Sequence, residues 1–454
     1  MKKLLLSIVL LSSALPQSRD ANITLYKDGF GLVKQPIVFH LDRGRNTVTY
    51  SALPDKMESQ SPFLSMTGAE LLYQRYNHDV FNAHEFLKDH LGEKVRVKPV
   101  SGMSYKGRLL DVDGKWITVK RWRSVRIFNL NEVMNIKVGK GGAALAVRPQ
   151  LSWEVMSPTR GEVPGKLIYI SEGFDWDADY RLVISPDEQS GILASQAVLK
   201  NGTNLSFSHA SVELVEGDLR RLYGREAPGT IRRGKQGERL AAGEERAAGG
   251  AVTFEMESVG DYYFYSLSGA LSVPRKESIT VALYPERAIN FSRLYLFENR
   301  ERTSREEPLL VQLSFSNTEE NGLGMPLPGG PLQIYYTAAD GGVKFAGEDF
   351  LHQVTVDEEA SVIAGRAFDV LGRRTVVNYD RKKKSEEATI LVEIKNKRQD
   401  TISARLIEHI YGDWVIRDPS HNYKRVDAQT IQFDLGLKPE STETVIYTYR
   451  KEWQ

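Results

Sequence analysis

Residues 390–406 read Ile-Leu-Val-Glu-Ile-Lys-Asn-Lys-Arg-Gln-Asp-Thr-Ile-Ser-Ala-Arg-Leu. Ile390, Val392 and Ile394 share one face of an extended chain, and Ile402, Ala404 and Leu406 share another, with the polar turn Lys397-Arg398-Gln399-Asp400 between them. Successive strand side chains point to opposite faces, so this period of two specifies a hairpin with one buried face. Val445, Tyr447 and Tyr449 repeat the pattern near the end of the chain. About seven such strands over residues 326–454, with no cysteine among them, predict an immunoglobulin-like β-sandwich.

Upstream the same alternation persists. Residues 22–80 form an N-terminal β layer, from Ile23 and Leu25 to Thr47-Val48-Thr49-Tyr50. Residues 74–91 have apolar side chains near helical spacing (Phe81, Phe86, Leu87, Leu91) and a stop at Gly92, which predicts a helix. Five short β-rich runs follow, around Val95, Tyr105–Leu110, Trp116–Val119, Val125–Ile127 and Val133–Ile136, with Asp113-Gly114 as a tight turn. Helix plus five strands over 81–138 resembles a small SH3-like or Sm-like barrel. A glycine-alanine joint over 138–144 opens a β-rich central domain, 139–325. Within it, residues 217–250 carry thirteen charged side chains and few large apolar ones, the composition of a disordered loop. The fold class is therefore all-β and multidomain: a β-rich central domain, a C-terminal sandwich and a small barrel inserted near the N-terminus.

Met1-Lys2-Lys3, the apolar run Leu4–Leu11 and the small-residue exit Ser12-Ser13-Ala14 have the form of a secretory signal peptide over 1–21. This predicts an exported protein, in the periplasm or at the cell surface. The apolar run is well short of the roughly 20 residues that a spanning helix requires, so no transmembrane segment is expected. Hydrophobic residues make up 41% and charged residues 26%, as in globular domains. Sixty basic against 59 acidic side chains leave a net charge of +1, so no global field draws nucleic acid or anionic membrane, although a local patch is compatible with this balance. The absence of cysteine excludes disulfides, thiolate metal sites and cysteine nucleophiles.

Trp153, Gly173 to Tyr180, Asn201 and Ala210 to Asp218 together resemble the core of the bacterial family catalogued as domain of unknown function 4139, which has mucoidy-inhibitor-like relatives. Leu327 to Gly330, Gly347-Glu348-Asp349, Gly365 to Val370, Asn396, Gly412-Asp413-Trp414 and Val445 to Tyr449 are similar to further motifs of that family, and Ile23 to Phe30 to its opening strand. The resemblance covers most of the chain after the signal segment. It implies an exported β-rich envelope protein and supplies no catalytic residues to carry over. Residues 81–138 stand where some relatives carry a coiled-coil insertion.

Sequence motifs assign no catalytic residue, metal or cofactor. His84-Glu85 opens a zinc-hydrolase helix motif, but Lys88 occupies the second histidine position and His90 falls on another face. Asp175, Asp177 and Asp179 resemble half of a calcium loop, with Tyr180 and Pro186 where an EF-hand needs Gly and Glu. No Gly-x-Ser-x-Gly elbow occurs. The feature that stands out is Lys120-Arg121-Trp122-Arg123-Ser124 with Arg126. If Trp116–Lys120 and Val125–Asn129 pair, Arg121, Trp122 and Arg123 sit at a hairpin tip, where an indole flanked by guanidinium groups can stack on a sugar or hold an anion. The competing reading folds Trp122 over its own barrel and leaves the arginines solvated. Arg121, Trp122, Arg123 and Arg126 are thus the candidate ligand-binding residues of a non-enzymatic binding or assembly module. The expected partner is an envelope protein or surface polysaccharide, not nucleic acid. The alternative is an envelope hydrolase using carboxylates such as Asp177, Asp179, Glu348 or Asp349.

Overall fold

A computed structural model describes residues 12–13, 21–77, 83–100, 102–139, 149–217, 254–260, 262–338 and 340–453. Nearly all of the signal segment, most of the glycine-alanine joint and the charged loop after Gly217 lie outside the described residues. About 70% of the described chain is strand and 2% helix, arranged in several sheets. The protein is all-β and multidomain. No described helix is long and apolar enough to cross a membrane.

The chain divides into two compact units. The first comprises Met1–Asp175, Lys200–Val215 and Phe264–Ser278. Six strands of a seven-stranded sheet run in the order Tyr262–Val273, Phe207–Glu216, Ala21–Tyr26, Phe30–Leu41, Gly161–Glu172, Phe63–Met66, with Phe207–Glu216 parallel to Ala21–Tyr26. A smaller sheet pairs Gln150–Ser157 with both Gly44–Tyr50 and Glu70–Asn77. This pairing corrects the helix expected over 74–91, because Gln74–Asn77 continue the strand Glu70–Asn77 and the helix spans only Ala83–Asp89. The long-range partner wins over local spacing: the buried Trp153 indole donates to Gln74 Oε1 at 2.7 Å while the backbones pair.

Also in this unit, residues 94–138 form a curled five-stranded half-barrel ordered Ser124–Asn129, Trp116–Arg121, Tyr105–Val112, Lys94–Pro99, Val133–Val138. Alternation explains it. Val95, Val97, Tyr105, Leu109, Ile117 and Val119 point inward and are buried together with Leu87 of the helix, while the residues between them face solvent. Gly107 lets two strands approach, since a Cβ there would lie 2.6 Å from both the Lys120 carbonyl oxygen and Val119 Cγ1. Gly107→Ala should therefore destabilise the half-barrel by about 1–3 kcal/mol, because backbone cannot move aside cheaply. Urea unfolding followed by Trp fluorescence checks this; an unchanged midpoint would refute it.

The second unit comprises Trp176–Leu199, Glu216–Tyr263 and Ile279–Gln454. One of its sheets orders Glu277–Asn290, Ser190–Asn201, Phe174–Ile184, Gly330–Thr337, Val343–Leu351. The other has nine strands: Trp414–Arg417, Thr442–Glu452, Ser385–Asn396, Glu359–Arg381, Arg305–Ser316, Ser292–Arg300, Ile402–His409, Thr430–Leu437, Lys424–Arg425. Two of these, Ser292–Arg300 and Arg305–Ser316, precede residue 326. The sheet folds back on itself like a sandwich. The Tyr447 ring, near one end of the strand order, lies 5.7 Å from Phe433 near the other, and the Tyr447 hydroxyl donates to Glu408 Oε2 at 2.7 Å. Ser385–Asn396 pairs with Glu359–Arg381 and Thr442–Glu452, and Ile402–His409 with Ser292–Arg300 and Thr430–Leu437, so the hairpin expected across residues 397–400 does not form: the period of two sets each strand's buried face but not its partner. Ile390, Val392, Ile394, Ile402, Ala404 and Leu406 are nonetheless all buried in this core.

Candidate functional site

The half-barrel's solvent face carries a basic patch beside exposed Trp116, Val125 and Ile127. Strand register sets Lys137 opposite Arg96 and Arg96 opposite Lys106, forming one row across three strands. Lys94 opposite Arg108 and Arg108 opposite Lys120 form a second row. Neighbouring strands lie about 4.8 Å apart, so each row spaces its cations by roughly that distance. Like charges directly opposite one another destabilise a sheet by a few tenths of a kcal/mol or more per pair. No ion pair with an acidic side chain offsets this repulsion at any of these six residues among the described residues. The rows wall an open depression of about 1010 Å³, floored by Val95 and Gly107, which Arg121 and Trp122 also line. A bulge at Leu110 turns that apolar side chain outward into it.

Trp122 and Arg123 form the two-residue connection between strands paired at Arg121 and Ser124. Trp122 has φ 55°, the left-handed region that hairpin turns usually give to glycine or asparagine, and its side chain is 90% exposed. A bulky residue there costs about 1–2 kcal/mol relative to glycine, so an exposed indole in this position is held against local preference. It is not folded over its own barrel. Trp122→Gly should stabilise the protein by about 1 kcal/mol in thermal denaturation, with any ligand that stacks on the indole bound more weakly. A loss of stability would mean that the ring packs after all.

The structure divides the sequence-based candidates. Arg121 and Trp122 line the depression, whereas Arg123 is exposed in the turn. Arg126 pairs with the inward-facing Val119, and its guanidinium lies 4.7 Å from the centre of the Tyr105 ring, so it covers the core on the opposite face. The rows of Lys94, Arg96, Lys106, Arg108, Lys120 and Lys137 were missed. The period-two run Lys94-Val95-Arg96-Val97-Lys98 carried half the signal, and the register that sets the rows side by side had none. Asp175, Asp177 and Asp179 share one face of the strand Phe174–Ile184, with Lys200 Nζ 3.9 Å from Asp175. Asp349 accepts the Ile363 backbone N–H at 2.6 Å. His90 Nδ1 lies 2.6 Å from the Phe86 carbonyl oxygen, and the His84 side chain is outside the described residues. Among the described residues no three His, Asp or Glu side chains converge as a metal site. In comparison with known proteins, no family model matches the chain and no curated protein matches it.

Proposed function

We propose that this protein is an exported envelope-binding module that holds an acidic surface polysaccharide on the basic face of residues 94–138 and performs no covalent chemistry. The observation that carries this reading is the two rows of directly opposed, unpaired cations. Their mutual repulsion is relieved when a polymer with regularly spaced anionic groups lies across them. A row running across strands has a repeat close to one sugar ring along a chain, which suits a carboxylate on successive rings. Extending the pairing of Arg108 with Lys120 by two residues brings the row through Lys106 to the Trp122 turn, where an exposed indole can stack on a ring. The signal-like N-terminus and the resemblance to domain of unknown function 4139 favour an envelope setting, and the overall charge of +1 makes the local basic face the relevant field.

Calorimetric titration with a polyuronate and with a neutral glucan tests this reading. The polyuronate should bind with an affinity that falls steeply with salt, and the neutral glucan should not bind. Equal binding of the two, or binding of neither, overturns it. Preference for an acidic protein from the envelope would replace the polysaccharide with a protein partner.

A further inference from the structure

The second unit contains a cavity that shares no residue with the basic face. It has a volume of about 330 Å³, near the lower end of the 300–1,000 Å³ typical of ligand pockets. Three arginines line it: Arg293 on the strand Ser292–Arg300, Arg366 on the long strand Glu359–Arg381, and Arg398 in the connection between the strands Ser385–Asn396 and Ile402–His409. Ala364 and Gly365 keep one wall low where the pairing of Val311 and Gln312 slips, a bulge in which Gly365 takes φ 134°.

One carboxylate, Glu188, bridges two of these guanidinium groups, and Arg398 has a second partner in Asp400, whose Oδ1 accepts from its Nε at 2.9 Å. Glu188 Oε2 accepts from Arg398 Nη2 at 2.9 Å and is also bonded by Arg293 Nη1. Arg293 Nη2 donates to the Tyr336 hydroxyl at 3.1 Å, and its Nε is buried with no hydrogen-bond partner among the described residues. One arginine donor thus lacks an acceptor, and a buried N–H in that state costs about 1–3 kcal/mol. Glu188 itself sits in a tight turn with φ 57°, where Asp187 accepts the backbone N–H groups of Gln189 and Ser190 at 3.0 and 3.2 Å. Its side chain is 35% exposed, so it can rotate to water without unfolding the turn.

We propose that this cavity binds a compact ligand through a carboxylate held by Arg293 and Arg398, and that Glu188 occupies the carboxylate position when no ligand is bound. Paired guanidinium forks match a planar carboxylate, and Glu188 shows that the two arginines already accept one. Arg366, held by the Pro308 carbonyl at 2.7 Å and Glu307 at 3.3 Å, adds positive potential at the rim. A sugar acid and the C-terminal residue of a peptide share this chemistry and suit the volume.

Calorimetry on the full chain with glucuronate and with N-acetylalanine, each against its methyl ester, tests the proposal and separates the two sources. One or both free acids should bind at least tenfold more tightly than the corresponding ester. Glu188→Gln should tighten that binding about tenfold by removing the competing charge, and Arg293→Gln with Arg398→Gln should abolish it. The gain in Glu188→Gln keeps the test decisive if the double arginine variant folds poorly. Equal binding of acid and ester, no gain in Glu188→Gln, or binding of inorganic phosphate alone overturns the proposal. None of these outcomes bears on the basic face.

Discussion

Replacing Arg96, Lys106 and Arg108 together by Gln is expected to lower polyuronate affinity about 100-fold at low salt while raising the protein's stability. A cation near an anionic surface contributes about 1 kcal/mol, so three amount to roughly two powers of ten. Each contact also releases a counterion, so the slope of log affinity against log salt should flatten by about three. The stability change has the opposite sign. The substitutions relieve the repulsion between Lys137 and Arg96, Arg96 and Lys106, Lys94 and Arg108, and Arg108 and Lys120. At a few tenths of a kcal/mol per pair, the gain is about 1 kcal/mol, visible in urea unfolding. Weaker binding with greater stability separates a ligand surface from a structural one. A variant that loses both would show that the rows serve the fold, and one that keeps its affinity would remove the basic face from the proposed function.

The second large effect lies in the sandwich core. Arg374 and Glu408 are both fully buried, with Arg374 Nη2 2.9 Å from Glu408 Oε2 and its Nε within 3.1 Å of both carboxylate oxygens. Tyr447 and Asn299 donate to the same carboxylate, and Arg374 also bonds the Thr303 carbonyl. Burial first, and then the charge of Glu408, hold the Tyr447 pKa well above its ordinary value, so its hydroxyl stays a donor. Glu408→Ala strands a guanidinium without its counter-charge, and about 3–5 kcal/mol should be lost. For a unit of this size that lowers Tm by roughly 10 °C in calorimetry. The double variant Arg374→Met, Glu408→Leu should recover most of the loss, because it removes both desolvated charges. A single variant costing under 1 kcal/mol would mean that water reaches the pair.

The neighbouring carboxylate Glu386 gives the same sandwich an acid limb. Burial would raise its pKa, but hydrogen bonds from Arg302 and Tyr379 and the charges of Arg302 and Lys451 outweigh this and hold it below the usual carboxylate value. A depressed carboxylate stabilises the fold above its unfolded pKa of about 4.3 and loses that contribution as pH falls through the folded value. Stability should therefore decline below about pH 4.3, and Glu386→Gln should flatten the decline in a series of Tm measurements.

Residue order alone determined that the described chain is nearly all β. Alternation such as Ile390, Val392, Ile394 is a local property, because a strand's two faces follow from the geometry of successive residues. The five strands of 94–138 and the hairpin tip at Trp122 were legible for the same reason. What tertiary structure decided is everything that depends on which strand lies beside which. Gln74–Asn77 satisfy a helical period over a short window, yet become strand because Gln150–Ser157 supply backbone partners some 75 residues away. Arg126 reads as one more cation of the hairpin until pairing with Val119 turns it to the far face. Lys94, Arg108 and Lys120 are unremarkable apart from one another and become a row only through register. Arg293, Arg398 and Glu188, spread over 210 positions, meet at one cavity for the same reason. Local spacing carries a side chain's face, whereas its neighbours are set by long-range pairing and burial, which no short stretch of sequence contains.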